Sequence, residues 1–97
     1  MDTKTVGNID YSKLPEHIRE GMRLYIEHGV LPGDFLQAVI SNDLMESFSR
    51  ADDTNLHRMF DIVSFMYNEA PMNCWKSKER MAAWKDKGGL VGILGKK

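Results

Sequence analysis

The spacing of hydrophobic residues predicts helices along most of this chain. From Pro15 to His28 apolar residues recur at intervals of three and four, and Gly29 follows as a typical helix-ending residue. A short second helix is expected over Phe35–Ile40, and a third after Asp43, which is followed three residues later by a glutamate as in a capping box. No alternating apolar pattern is long enough to define a strand. The pattern therefore predicts an all-α fold.

The longest apolar pattern predicts a central helix from about Thr54 to Asn68, with Asp53 as its N-cap. Its apolar residues recur on one face, which Ile62 and Phe65 widen: Leu56, Met59, Phe60, Val63, Met66 and Tyr67. A final helix is expected after Ser77, ending at Gly88–Gly89. Four or five short helices around the central one would form a compact bundle.

The two ends of the chain are expected to differ from a helical core at residues 14–87. Residues 1–13 are polar and predict a loose arm. Its apolar residues, through which it would contact the core, are Val6, Ile9 and Tyr11. Residues 88–97 form a Gly-rich tail, too short for a firm helix or strand, which is expected to dock on the core, extend to a partner chain or stay flexible. A chain of 97 residues is expected to form a single domain, residues 1–97.

Composition and charge narrow the classes of function. The formal net charge of −1 disfavours a nucleic-acid binder that relies on neutralising phosphates, although a local basic patch is still compatible with it. The single cysteine, Cys74, leaves no partner for an intramolecular disulfide or a Cys-based zinc site, as is common in reducing compartments. No apolar segment is long enough to span a membrane, and the start of the chain lacks the blocks of a signal peptide. An intracellular protein is therefore expected.

No sequence pattern identifies a catalytic site. The chain has no Walker loop, dinucleotide fingerprint or Gly-x-Ser-x-Gly elbow. His17, His28 and His57 are the most plausible general bases, but each is better explained as a solvated or capping residue. Cys74 is better explained as a small apolar residue beside Trp75 than as a nucleophile. We therefore predict a non-enzymatic protein without a metal or cofactor.

The segment Tyr67–Trp75 combines aromatic, amide and thiol side chains more densely than any other part of the chain. Its proline ends the central helix, and the large apolar ring beyond it predicts a packed loop. Tyrosine and tryptophan rings stack on bases and dominate protein interfaces, although each ring here could instead fill the core. Asn42, Asp43 and Arg50 add an amide, a carboxylate and a guanidinium that can bind the polar edge of a ligand. The Asn-Asp pair is also consistent with a structural turn. The predicted ligand-binding residues are Asn42, Asp43, Arg50, Tyr67, Asn68 and Trp75.

Five motifs, in this order, carry a resemblance to a known family: Leu14-Pro15-Glu16-His17-Ile18, Tyr25-Ile26-Glu27-His28-Gly29, Pro32-Gly33-Asp34-Phe35-Leu36, Asn42-Asp43-Leu44 and Tyr67-Asn68-Glu69-Ala70-Pro71. Over roughly Leu14 to Trp84 the chain resembles small phage and prophage proteins that are known as hypothetical proteins. That family commonly has Gly-Ser after its Cys-Trp pair, where this chain has Lys76-Ser77. The resemblance implies a phage accessory role in the host cytoplasm.

Three hypotheses of function follow. The leading one is a non-catalytic protein that counters host antiphage defence by sequestering a small nucleotide-like immune signal, in a pocket completed by a second subunit of a homo-oligomer. The second is an inhibitor that binds a host defence protein directly through exposed rings and the tail residues Leu90–Leu94. The third, a small DNA-binding regulator, is disfavoured by the balanced charge.

Overall fold

The computed structural model describes residues 9–95 and has only helices and connecting segments within that range, so the predicted all-α class is confirmed. The helices are α1 (Glu16–His28), α2 (Asp34–Ile40), α3 (Leu44–Arg50), α4 (Asp53–His57), α5 (Met59–Asn68), α6 (Lys78–Lys87) and α7 (Gly89–Gly95). A 3-10 turn, Met72–Cys74, lies between α5 and α6. None of these helices has the length and apolar character that crossing a membrane requires. The described residues form seven helices where four or five were predicted, because the predicted central helix is divided into α4 and α5 and the tail forms α7.

Helix α1 begins and ends where the sequence predicts. Pro15 is its N-cap, and Gly29 ends it with a φ of 72° and an N–H that donates to the Tyr25 carbonyl at 2.9 Å. The inner face of α1 consists of four buried residues: Ile18, Met22, Tyr25 and Ile26. Helix α1 therefore buries as many residues in the core as α2 and α5 each do.

The pair Asn42–Asp43 ends α2 and begins α3. Asn42 has a φ of 65°, and its N–H donates to the Val39 carbonyl at 3.1 Å. The N–H of Asp43 donates to the Ala38 carbonyl at 2.9 Å, which completes a Schellman motif. The Asp43 carboxylate then accepts the N–H of Glu46 at 3.1 Å, so the predicted N-cap is confirmed. The pair has a structural role in joining the two helices.

The prediction of one continuous helix over residues 54–68 is wrong, because the chain breaks at Arg58 between α4 and α5. Arg58 leaves the helical conformation, with a φ of −106° and a ψ of 15°. Its guanidinium donates to the Lys13 carbonyl at 2.7 Å and to the Asp61 carboxylate at 2.7 Å. These contacts hold the break against the segment that precedes α1.

The N-cap of α4 is Asp52 rather than the predicted Asp53. The Asp52 carboxylate accepts the N–H of Asn55 at 2.7 Å. Asn55 itself is only 4% exposed, and its Oδ1 has no hydrogen-bond partner in the described part of the chain. An unsatisfied buried acceptor costs about 1–3 kcal/mol. The burial of Asn55 in α4 therefore lowers the stability of the fold.

Helix α5 buries only part of its apolar surface. Its buried side chains are those of Met59, Ile62, Phe65 and Met66. Phe60, Val63 and Tyr67, which the sequence predicts on the core-facing stripe, are exposed. The core-facing side of α5 is thus rotated relative to the prediction, and the rest of its apolar surface faces solvent.

Helix α6 begins and ends as predicted. The Ser77 hydroxyl accepts the N–H of Arg80 at 3.1 Å, and Gly88 follows the helix with a φ of 80°. Trp84 on this helix is buried, and its indole N–H donates to the Ile26 carbonyl of α1 at 3.0 Å. Trp84 is therefore a core residue.

The described part of the N-terminal arm packs on the core through two of the three predicted residues. Ile9 and Tyr11 contact core residues, and the Tyr11 ring centre lies 5.4 Å from that of Phe65. The Tyr11 hydroxyl also donates to the Glu27 carboxylate at 3.0 Å. The third predicted contact, Val6, lies outside the described residues.

The tail forms helix α7, although the sequence predicts no firm helix there. Gly89 has a φ of 68°, and a Cβ atom on it would lie 2.6 Å from backbone atoms of His28 and Gly29 at the end of α1. Only glycine permits so close an approach. Leu90 is buried, so docking on the core is the alternative that the structure supports. Lys96–Lys97 lie outside the described residues.

We expect Gly89→Ala to lower the free energy of unfolding by about 2–5 kcal/mol, because it adds both left-handed backbone strain and a clash with α1. Urea unfolding followed by circular dichroism measures this change. The matched control is Gly95→Ala, at a position where a Cβ would meet no atom within 4 Å. The control should change stability by less than about 0.5 kcal/mol. Equal effects of the two substitutions would contradict the close packing of α7 on α1.

Candidate ligand-binding site

The loop between α5 and α6 is held by hydrogen bonds from two other helices. The Tyr25 hydroxyl of α1 donates to the Cys74 carbonyl at 2.6 Å in a buried contact. The N–H of Lys76 donates to the Ile40 carbonyl of α2 at 2.8 Å. Trp75 lies between these two anchored residues. The predicted packed loop is therefore confirmed, and the backbone of Trp75 is fixed on both sides.

Lys76 has an unusual backbone conformation for a residue with a side chain. Its φ of 96° lies in the region that favours glycine. Its ammonium group lies 5.5 Å from the centre of the Trp75 ring, at a distance typical of a cation–π contact. The turn thus places a cation beside an indole face at the cost of backbone strain.

A cleft of about 240 Å³ lies beside this turn. It is called the Trp75 cleft, and its lining residues are Tyr67, Ala70, Met72, Trp75 and Lys76. The Tyr67 side chain is well exposed and Trp75 is partly buried. Two aromatic residues and one lysine therefore line the same open cleft. Such a set can stack on a planar group and pair with an anion.

Trp75 also lines a second, more apolar cavity of about 110 Å³ between α2, α3 and α5. Asn42 and Leu44 contribute to this cavity from the α2–α3 joint, and Val63 contributes from α5. Asn42 and Trp75, two of the predicted ligand-binding residues, therefore line the same cavity. The two residues share the smaller cavity and not the Trp75 cleft.

Asp43 and Arg50 lie together elsewhere, in a cleft of about 190 Å³ formed by α2, α3 and α6. The Arg50 guanidinium contacts the Asp34 carboxylate at 3.0 Å and the Glu46 carboxylate at 3.3 Å. Two carboxylates thus offset its charge. Arg50 is therefore poorly placed to bind an anionic ligand beside Trp75. The prediction that Arg50 and Trp75 share one pocket is wrong.

The six predicted ligand-binding residues are thus distributed over separate clefts. Tyr67 and Trp75 share one cleft, Asn42 and Trp75 share another, and Asn68 is exposed at the end of α5. Lys76 and Met72 line the Trp75 cleft but are absent from the predicted set. The sequence signal for Lys76 was its position directly after Trp75.

A larger cleft of about 370 Å³ lies between α1, α2 and α4. His17 Nε2 contacts the Asp52 carboxylate there at 3.3 Å, and both side chains are about half exposed. Asn55 and Arg50 also line it, but no serine, threonine, cysteine, lysine or tyrosine does. The cleft therefore contains a histidine–carboxylate pair, with no hydroxyl, thiol or amine side chain in its lining.

Cys74 is not available for chemistry. Its side chain is fully buried, and burial raises the pKa of the thiol to about 12. The thiol is therefore protonated at neutral pH. Within residues 9–95 there is also no group of three or more histidine, cysteine or acidic side chains that could hold a metal ion.

No family model, curated protein or solved structure matches the chain. The clefts themselves therefore provide the evidence on function. Among them, the Trp75 cleft has an aromatic surface and a cation that faces no carboxylate among the cleft's lining residues. It is the best candidate for a ligand-binding site.

We expect Tyr25→Phe to lower the free energy of unfolding by about 1–2 kcal/mol, because it leaves the buried Cys74 carbonyl without its donor. Hydrogen exchange in the loop around Trp75 should also become faster, as measured by mass spectrometry. Tyr67→Phe is the matched control, because the same hydroxyl is removed from an exposed ring. If both variants behave alike, the Tyr25–Cys74 hydrogen bond does not hold the loop.

We expect iodoacetamide to label Cys74 only after unfolding. Because its thiol pKa is raised to about 12, labelling of the folded protein should not increase between neutral and mildly alkaline pH as it does for an ordinary exposed thiol. Intact-protein mass spectrometry measures the extent of labelling. A Met72→Cys variant, with its new thiol at an exposed position, should take up one label when folded and two when unfolded. Rapid labelling of the folded natural chain would contradict the burial of Cys74.

Proposed function

We propose that this protein is a non-catalytic binding protein that sequesters a small nucleotide-like ligand in the Trp75 cleft. The observation that carries this proposal is that Tyr67, Trp75 and Lys76 line one open cleft, with the Lys76 ammonium beside the Trp75 ring. A base stacked on an aromatic side chain gains about 1–3 kcal/mol. A phosphate group would pair with the ammonium. Base stacking and phosphate pairing together would bind a nucleotide without contacting its whole surface.

The chemistry of the cleft supports holding a ligand rather than converting it. Its lining contains no histidine, cysteine or carboxylate, so Tyr67 and Lys76 have no base among the lining residues that could activate them. Cys74 lies next to Trp75 in sequence but is buried with a protonated thiol. The natural role of such a protein is to lower the free concentration of its ligand. Together with the resemblance to phage accessory proteins, this supports a role in removing a host immune signal.

The size of the cleft limits what one copy can bind. Its volume of about 240 Å³ is below the roughly 300–1,000 Å³ of typical ligand pockets. One base with its phosphate is a better match to this volume than a whole cyclic dinucleotide. A second copy of the chain would provide a second aromatic site for the other half of such a signal.

We expect at least one of AMP, 3′,5′-cyclic AMP, cyclic di-AMP and 3′,3′-cyclic GMP–AMP to bind the full chain in isothermal titration calorimetry. Trp75→Ala should weaken that binding by about 10-fold or more, because it removes the stacking surface. Lys76→Gln should weaken it as well, because it removes the cation. Lys78→Gln is the matched control, since Lys78 is exposed and lines a different cleft. Chromatography after incubation should recover the ligand unchanged.

Two results would contradict the proposal. If Trp75→Ala binds as tightly as the natural chain while keeping its helical spectrum, the ligand binds elsewhere. If no nucleotide binds, and native mass spectrometry of protein from cells with an active nucleotide-signalling defence gives the mass of the chain alone, sequestration is wrong. Direct binding of a host defence protein then becomes the better hypothesis.

A further inference from the structure

An apolar surface on α3 and α5 has no partner in the fold. On α5, Phe60 is 82%, Val63 45% and Tyr67 77% exposed. On α3, Leu44 and Met45 are 66% and 82% exposed. Phe48 and Met72 are exposed as well. We call the surface formed by these seven residues the α3–α5 face: Leu44, Met45, Phe48, Phe60, Val63, Tyr67 and Met72.

The two helices present this surface as one patch. Leu44 of α3 and Val63 of α5 line the same cavity, in which Trp75 also takes part. Tyr67 and Met72 line the Trp75 cleft. Four members of the face are therefore connected through Trp75. The other three lie three or four residues from a member on the same helix: Phe60 from Val63, Phe48 from Leu44, and Met45 from Phe48. Isolated exposed apolar residues need no explanation, but a connected patch does.

The area of the face matches that of a protein interface. At about 200 Å² for a fully exposed side chain of this size, its seven residues expose roughly 900 Å². The largest apolar patch on a typical monomer is about 300–600 Å². Each partner in a standard stable interface buries about 800 Å². The face alone can therefore supply one side of a complete interface.

The charges around the face are compatible with contact between two identical surfaces. The one acid in α5, Asp61, contacts Arg58 of the same chain at 2.7 Å. On α3, Glu46 contacts Arg50 at 3.3 Å. Two copies related by a two-fold axis would thus bring apolar surface against apolar surface without placing an unpaired charge of α3 or α5 opposite its own copy. The formal net charge of −1 adds little repulsion between chains.

We propose that the α3–α5 face is the interface of a two-fold symmetric homodimer of this chain. A two-fold contact uses the same patch on both copies, and this patch meets that requirement in area and in charge. The exposed methionines Met45 and Met72 can adjust their side chains to fill such a contact. Tyr67 belongs both to the α3–α5 face and to the Trp75 cleft. In the dimer, the Trp75 cleft of each copy would therefore lie at the border of the interface. The dimer does not depend on the identity of the ligand.

Sedimentation equilibrium of the full chain tests this proposal. We expect a species of twice the 11.1 kDa chain mass, with dissociation constants in about the micromolar range or tighter. Phe60→Glu and Met45→Glu, on different helices of the face, should each weaken dimerisation by about 10-fold or more, because each buries an unpaired charge in the contact. Both positions are largely exposed within one chain, so both variants should fold.

Val30→Glu is the matched control, because it places the same charge at a half-exposed apolar position between α1 and α2. It should dimerise like the natural chain, and circular dichroism should give the same helical spectrum for all variants. A natural chain that sediments only as a monomer overturns the proposal, even if the face captures another protein. Dimers that persist in both Phe60→Glu and Met45→Glu also overturn it, because the interface then lies on another surface.

Discussion

The position of the candidate site depends on the hydrogen bond from the Tyr25 hydroxyl to the Cys74 carbonyl. This bond of 2.6 Å joins the inner face of α1 to the loop that carries Trp75. Burial raises the pKa of Tyr25, so its hydroxyl is protonated and remains a donor throughout the physiological pH range. Helix α1 is in turn fixed where Gly29 meets Gly89 of α7. The cleft is therefore positioned by packing that involves the C-terminal helix as well as its own loop.

Most local features of the fold could be predicted from the sequence, with the N-cap of α4 displaced by one residue, and features that depend on distant contacts could not. The caps at Asp43 and Ser77 are correct because their hydrogen bonds are made within three residues. The break at Arg58 was missed because its guanidinium binds the carbonyl of Lys13, far away in sequence. Helix α7 was missed for a related reason. A Gly-rich segment has weak helical propensity, and here the contact of Gly89 with α1 outweighs it.

The same distinction explains the prediction of the site. Tyr67 and Trp75 line the same cleft because one lies at the end of α5 and the other in the short loop that follows, which the sequence already indicates. Arg50 was expected beside them, but the ion pair with Asp34 directs it to another cleft. Which acid an arginine contacts depends on how α2 and α3 cross. No residue pattern along the chain contains that information.

The two apolar faces of α5 link the core, the candidate site and the proposed dimer. Ile62 and Phe65 fill the core, whereas Phe60 and Tyr67 on the same helix remain exposed. A chain of 97 residues has too small an interior to enclose a sizeable ligand and still bury its core residues. A helix that packs on both sides avoids this conflict, because its outer face can contact a second copy while its inner face stabilises the fold. Tyr67 lies where this outer face meets the Trp75 cleft, so association of two chains would extend the binding surface without enlarging either core.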